Sequence, residues 1–233
     1  MSATAEIIKP IPAKFQNATR IQQALTAPLE RKALQWLAKK TPAYISPDHL
    51  TALGLLAQFL AGASYALARW NKYALLLATV FIAINWLGDS LDGTLARHRS
   101  RLRPRYGFYV DHMVDTFGAA FLMFGLAVSN YVHWQIAMGM LIAFLILSVE
   151  TYLAAYTLHD FRLSHGPFGP TEIRLLLMSG NIALLFYPQL NLFAHKISLF
   201  DAGGAIATIG MLAMATTATI QHTIKLYNEE RLP

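Results

Sequence analysis

Four aspartates, Asp89, Asp92, Asp111 and Asp115, stand in two pairs in a chain that carries only 13 acidic residues. The first pair is three residues apart and the second four, so on helices each pair shares one face. Antiparallel packing of two such helices turns all four carboxylates inward. Like charges gathered at an apolar boundary repel one another and resist desolvation unless cations neutralise them or they take up protons. Donor sets made only of oxygen favour hard ions, Mg2+ or Mn2+, with Ca2+ as an alternative. Two such ions about 3.5 to 4 Å apart clamp a phosphate at both its entering and its leaving oxygens. The spacing therefore predicts a metal site with two ions, ligated by Asp89, Asp92, Asp111 and Asp115, and phosphate chemistry at that site.

The surrounding residues suit a nucleotide. Gly93, Ala96 and Gly107 allow a bulky ligand to approach the backbone where larger side chains would block it. Arg97 is placed to meet phosphate oxygens. The four alternate arginines that follow, Arg99, Arg101, Arg103 and Arg105, have a simpler explanation in membrane topology and attraction to anionic lipid. Cysteine is absent, which removes disulfides, thiol nucleophiles and cysteine metal sites.

Elements that position these residues follow from composition. With 55% of its 233 residues hydrophobic and 14% charged, the chain is too apolar for an ordinary soluble domain. Six segments are apolar and roughly long enough to cross hydrocarbon: Leu50 to Trp70, Tyr73 to Leu95, Phe108 to Asn130, Trp134 to Leu158, Glu172 to Tyr187, and Ala202 to Leu226. The fifth is short. Of the Lys and Arg residues, sixteen fall in the termini and the second and fourth loops, against three, Arg69, Lys72 and Lys196, on the other face. That asymmetry places the termini and the aspartate site on the cytoplasmic side. It also accounts for the net charge of +6 without a nucleic-acid partner. Residues 1–16 lack the continuous apolar core of a signal peptide and are expected to form a cytosolic tail. Asn17 to Lys40 reads as a helix interrupted near Pro28, with Leu29, Ala33, Trp36 and Leu37 on one face, an amphipathic helix lying on the cytosolic leaflet. The expected fold is all-α: a polytopic membrane protein with six transmembrane helices, residues 46–233, preceded by a tail and interfacial helix, residues 1–45.

Asp89 to Asp115 reads D-x2-D-G-x2-A-R-x9-G-x3-D-x3-D. This resembles the signature of the CDP-alcohol phosphotransferases, with every signature position present. Ser46-Pro47-Asp48-His49-Leu50-Thr51 looks like the family's Pro-Asn-x-x-Thr at the start of the first crossing, with Asp in place of Asn. The resemblance covers roughly residues 46–175. It implies that Asp89, Asp92, Asp111 and Asp115 ligate metal and that Gly93, Ala96, Arg97 and Gly107 bind the nucleotide. It further implies that an acceptor hydroxyl attacks the phosphate of a CDP-alcohol and CMP leaves, in a homodimeric phospholipid-synthesising enzyme.

Family members differ in which partner carries CDP. His112 after the third aspartate, and Gly169-Pro170-Thr171-Glu172, are similar to choline and ethanolamine phosphotransferases, so a CDP-aminoalcohol donor with diacylglycerol as acceptor is the leading expectation. CDP-diacylglycerol with a polar alcohol is the alternative. An alcohol attacking phosphorus needs a proton acceptor, and a neutral imidazole oriented by a carboxylate suits that task. His112 with Glu172 is the preferred base pair, and Asp115 the alternative base if it does not ligate metal. Glu150, an acid within the fourth crossing, either pairs a cationic headgroup or bonds between helices. A cation transporter is the competing class, but its acids would line the full membrane thickness, whereas these gather at one edge.

Overall fold

The computed structural model describes residues 19–21, 26–158, 160–162, 169–192 and 195–231. Among these are seven helices: α1 Ala27–Lys40, α2 Pro47–Ala68, α3 Ala74–His98, α4 Pro104–Ala127, α5 Trp134–Thr157, α6 Pro170–Phe186 and α7 Leu199–Glu229. Two short strand pairs accompany them. Thr19–Ile21 (β1) pairs in parallel with Asp160–Arg162 (β2), and Gln189–Leu192 (β3) forms an antiparallel hairpin with His195–Ser198 (β4).

Five helices, α2, α3, α4, α5 and α7, are long and apolar enough to cross a membrane. The sixth predicted crossing, Glu172 to Tyr187, corresponds to α6, whose 17 residues extend about 25 Å at 1.5 Å per residue, short of a hydrocarbon layer of about 30 Å. Helix ends follow local chemistry. Pro28, Pro47, Pro104 and Pro170 each stand in a first turn, where the missing N–H has no helical partner to lose. At α2, Ser46 and His49 exchange hydrogen bonds in a capping box.

Glycine sets how closely the site-bearing helices approach. A Cβ on Gly88 of α3 would lie 2.6 Å from the Leu50 carbonyl of α2, and one on Gly125 of α4 would lie 2.0 Å from the Gly62 carbonyl. Both distances are far inside van der Waals contact, so α2 serves as the backbone against which α3 and α4 are seated. The main core gathers Tyr65 of α2, Leu75, Ala78 and Ile82 of α3, Leu122 and Leu126 of α4, and Leu184 of α6.

The N-terminal region departs from expectation. The sequence predicts helix on both sides of an interruption near Pro28; Thr19–Ile21 is extended, and the helix begins at Ala27 with Pro28 in its first turn. The expected tail of residues 1–16 lies outside the described residues. One side of α1, Ala27, Leu34 and Ala38, is buried, with Leu34 and Ala38 clustered on Leu50, Leu91 and Leu95. Leu29 and Trp36 point outward, 74% and 60% exposed. The helix is therefore packed on its own protein through one face while a second face stays open.

Candidate active site

Asp89 and Asp92 sit near the C-terminal end of α3, Asp111 and Asp115 in the first half of α4. The helices bring them together: Asp115 lies in the electrostatic field of Asp89, Asp111 and Asp92, and Asp92 in that of Asp111 and Asp89. Asp92, 6% exposed, is the most tightly held. Its Oδ2 accepts from the Thr51 hydroxyl of α2 at 2.6 Å, and its Oδ1 accepts from the Gly93 N–H. Thr51 thereby gives physical content to the last residue of the Pro-Asp-x-x-Thr segment. Asp48 of the same segment points elsewhere, pairing with Arg103.

Asp89 has a partner that the sequence reading had counted only as a topological charge. Arg174 of α6 donates through Nη2 to Asp89 Oδ2 at 2.7 Å and through Nε to Asn85 Oδ1 at 2.9 Å. Asn85 is itself fixed, donating to the Gly54 carbonyl at 3.0 Å and to Gln58 Oε1 at 3.1 Å. The guanidinium is only 13% exposed and also lies in the field of Asp115. An arginine five positions into an apolar helix is the signal that would have revealed it.

The donor chemistry of the four carboxylates fits a hard divalent ion. Among the described residues, no three carboxylate or imidazole groups converge closely enough to cage an ion by themselves. At Asp89 the positive charge is supplied instead by Arg174.

Around the carboxylates, Arg97 is exposed, donates to Thr94 Oγ1 at 3.1 Å and lies over Gly93, where a Cβ would meet its guanidinium at 3.6 Å. A Cβ on Gly107 would meet nothing within 4 Å, so protein packing does not demand that glycine. Ala96 is partly buried on the same turn of α3. Arg99 donates to the carbonyls of Thr41, Pro42 and Ile45, tying the α1–α2 connection to the end of α3. That assigns it a structural task beyond topology.

His112 and Glu172 each engage other residues. The His112 ring stacks on Tyr152 of α5, centroids 4.3 Å apart and planes 10° from parallel, with Phe108 edge-on at 4.1 Å. The two oxygens of Glu172 serve two helix starts: Oε1 accepts from the N–H and Oγ1 of Thr26, at the start of α1, at 2.9 and 2.7 Å, and Oε2 accepts from Gly169 N–H, at the start of α6, at 2.9 Å. A carboxylate in the first turn of a helix is drawn to the free N–H groups and positive dipole end there, which gives Glu172 a task at the helix start. A converse contact joins the same two helices, with Thr171 donating to Glu30 of α1 at 2.9 Å. Trp86 and Ser90 of α3 donate to the same oxygen of Glu30 at 2.9 and 3.0 Å. Glu150 forms the interhelix contact of its two foreseen roles, paired with His222 Nδ1 of α7.

Helices of membrane-crossing length that enclose two facing pairs of aspartates, one of them held by a threonine from a third helix, define a membrane protein built around a carboxylate site. A sequence profile described as CDP-alcohol phosphatidyltransferase matches residues 44–220, and the chain belongs to that family. It is 31% identical over 141 residues to archaetidylinositol phosphate synthase of Pyrococcus horikoshii, covering 60% of this chain and 65% of that one. It is 35% identical over 114 residues to an uncharacterized protein of Aquifex aeolicus, covering 48% of this chain and 54% of that one. The chain thus spans less than two thirds of the length of these curated relatives. Among solved structures, phosphatidylinositol phosphate synthase of Mycobacterium tuberculosis with CDP-DAG bound aligns over 87% of this chain and 92% of that one, at 18% identity and a TM-score of 0.49.

Proposed function

We propose that this protein transfers a substituted phosphate from a CDP-linked lipid to the hydroxyl of a polar alcohol, with release of CMP. The observation that carries this reading is the carboxylate site itself: four aspartates on two facing helices, with Asp92 fixed by Thr51. The lipid-side donor is favoured over the aminoalcohol donor on two grounds. The archaeal relative bears the name of an inositol phosphate lipid synthase. The residues that suggested choline or ethanolamine also have structural tasks here, Glu172 in the contact with α1 and His112 in an aromatic stack. Radiolabelled CDP-diacylglycerol, CDP-choline and CDP-ethanolamine, each offered to membranes containing the protein, distinguish the donors. Label from CDP-diacylglycerol is expected in a new phospholipid when a polar alcohol such as inositol phosphate is supplied. Incorporation only from CDP-choline or CDP-ethanolamine would overturn the donor assignment.

In the proposed reaction the acceptor oxygen bonds to the phosphorus next to the lipid alcohol, and the bond from that phosphorus to the CMP oxygen breaks. The acceptor proton goes to the Asp115 carboxylate, which acts here as the base and not as a metal ligand. Mg2+ or Mn2+ held by Asp89, Asp92 and Asp111 would neutralise phosphate charge in the transition state. Arg97 over Gly93 binds phosphate at the mouth of the site, with Ala96 and Gly107 giving the nucleotide room. His112→Ala is expected to leave the pH optimum unchanged. A lost alkaline or acidic limb in its pH profile would return the base role to His112.

The site faces the cytoplasm in this reading, on the side of the basic loops. The proposed sixth crossing is α6, which is supported by its antiparallel run along α3: Arg174 meets Asn85 and Asp89 of α3, while Asn181 meets Thr79 of α3 and Tyr65 of α2. Homodimer formation belongs to the same proposal and rests on family resemblance.

A further inference from the structure

We propose that Arg174 is an internal counter-cation of the carboxylate site, which holds Asp89 when no metal is bound and gives it up when metal enters, so that Arg174 sets the metal affinity. The inference rests on the metal reading above and goes beyond it, because it assigns a task to a residue outside the aspartate signature. Three observations carry it. The guanidinium donates to Asp89 Oδ2 at 2.7 Å, and Asp89 is a carboxylate that the metal reading assigns to an ion. It also lies in the field of Asp115 on the opposite helix. Finally, it is not a wandering surface charge: Nε is anchored on Asn85, which is held in turn by Gly54 and Gln58 of α2.

A carboxylate cluster between apolar helices is unstable without positive charge. Arg174 supplies that charge, and the anchor on Asn85 keeps the guanidinium beside the site after Asp89 Oδ2 is surrendered. Metal and guanidinium then compete for one oxygen and repel each other, which is a negative coupling between two cations with reciprocal consequences. Removing Arg174 should tighten metal binding while weakening the metal-free protein. A merely structural arginine would lower stability without raising metal affinity.

The test uses the full-length protein in detergent micelles, with Mn2+ binding followed by electron paramagnetic resonance and thermal unfolding measured with and without Mn2+. Arg174→Gln is expected to bind Mn2+ roughly tenfold more tightly than wild type. Its unfolding temperature should fall without metal and recover with it. Arg174→Lys, which keeps the charge, should lie between the two. Mn2+ affinity in Arg174→Gln equal to or weaker than that of wild type overturns the proposal while leaving the metal site standing. Absence of Mn2+ binding in wild type overturns both. Should Arg174→Gln fail to fold, phenylglyoxal labelling of wild type decides: modification of Arg174, mapped by mass spectrometry, is expected to speed up severalfold when Mn2+ is added, and an unchanged or slower rate overturns the proposal.

Discussion

Two sets of acids lie among these helices and are managed in opposite ways. On α5 and α7, Glu150 meets His222, and at the other end of the same helices Asp201 accepts from the His133 backbone N–H at 2.7 Å and meets its Nδ1 at 2.6 Å. Each is one acid facing one imidazole, a closed arrangement that fastens α5 to α7. Between α3 and α4, by contrast, four carboxylates share one another's field, and Arg174 engages Asp89 and reaches Asp115. A closed pair is sufficient to itself. Crowded carboxylates call for a further cation, and on the proposed function that contrast separates the acids of the reaction from those of the fold.

The comparison breaks most visibly if the crowded acids prove dispensable. Asp111→Asn and Asp115→Asn are expected to lower CMP release on the order of a thousandfold, as measured on purified protein with saturating Mg2+ or Mn2+. Next in size is Thr51→Val, which leaves Asp92 without its 2.6 Å donor. A loss of about tenfold in turnover is expected, in line with about 1.4 kcal/mol for a hydrogen bond to a charged group. Activity within twofold of wild type would show that Thr51 does not orient Asp92.

Smaller again is the contact between α1 and α6. Glu30→Gln weakens an oxygen that receives Trp86, Ser90 and Thr171, and Glu172→Gln weakens the contacts to Thr26 and Gly169. Each is expected to lower stability by about 1 kcal/mol and to speed proteolysis near α1, with turnover reduced only severalfold. The smallest effect belongs to the closed pair. Glu150→Gln should change activity less than twofold and destabilise the helix bundle by about 0.6 kcal/mol, the typical size of an interhelix hydrogen bond in a membrane protein. A large loss of activity there would erase the distinction between the two sets.

Much of this was legible in the sequence for identifiable reasons. Hydropathy located α2, α3, α4, α5 and α7, because a long apolar run has few other fates. The three- and four-residue spacings placed the aspartates on facing surfaces, because helical periodicity is local information. What escaped was set by tertiary contact. Arg174 looked like a loop-flanking charge, and only the packing of α6 on α3 brings it to Asp89. The bond from Thr26 to Glu172, in the first turn of α6, likewise depends on α1 and α6 coming together. On α1, Leu29 and Trp36 are exposed, whereas Leu37, expected on the same face, packs with Leu34 and Ala38 against α2 and α3, a contact that α1 alone does not specify.

The most direct test of the carboxylate site is CMP release from CDP-diacylglycerol by the purified protein, titrated with Mn2+, for wild type and Asp111→Asn. The account predicts release by wild type that depends on the metal and requires a polar alcohol acceptor, and its loss in Asp111→Asn at every Mn2+ concentration. Release by wild type that persists in chelator, or that survives Asp111→Asn, would contradict it.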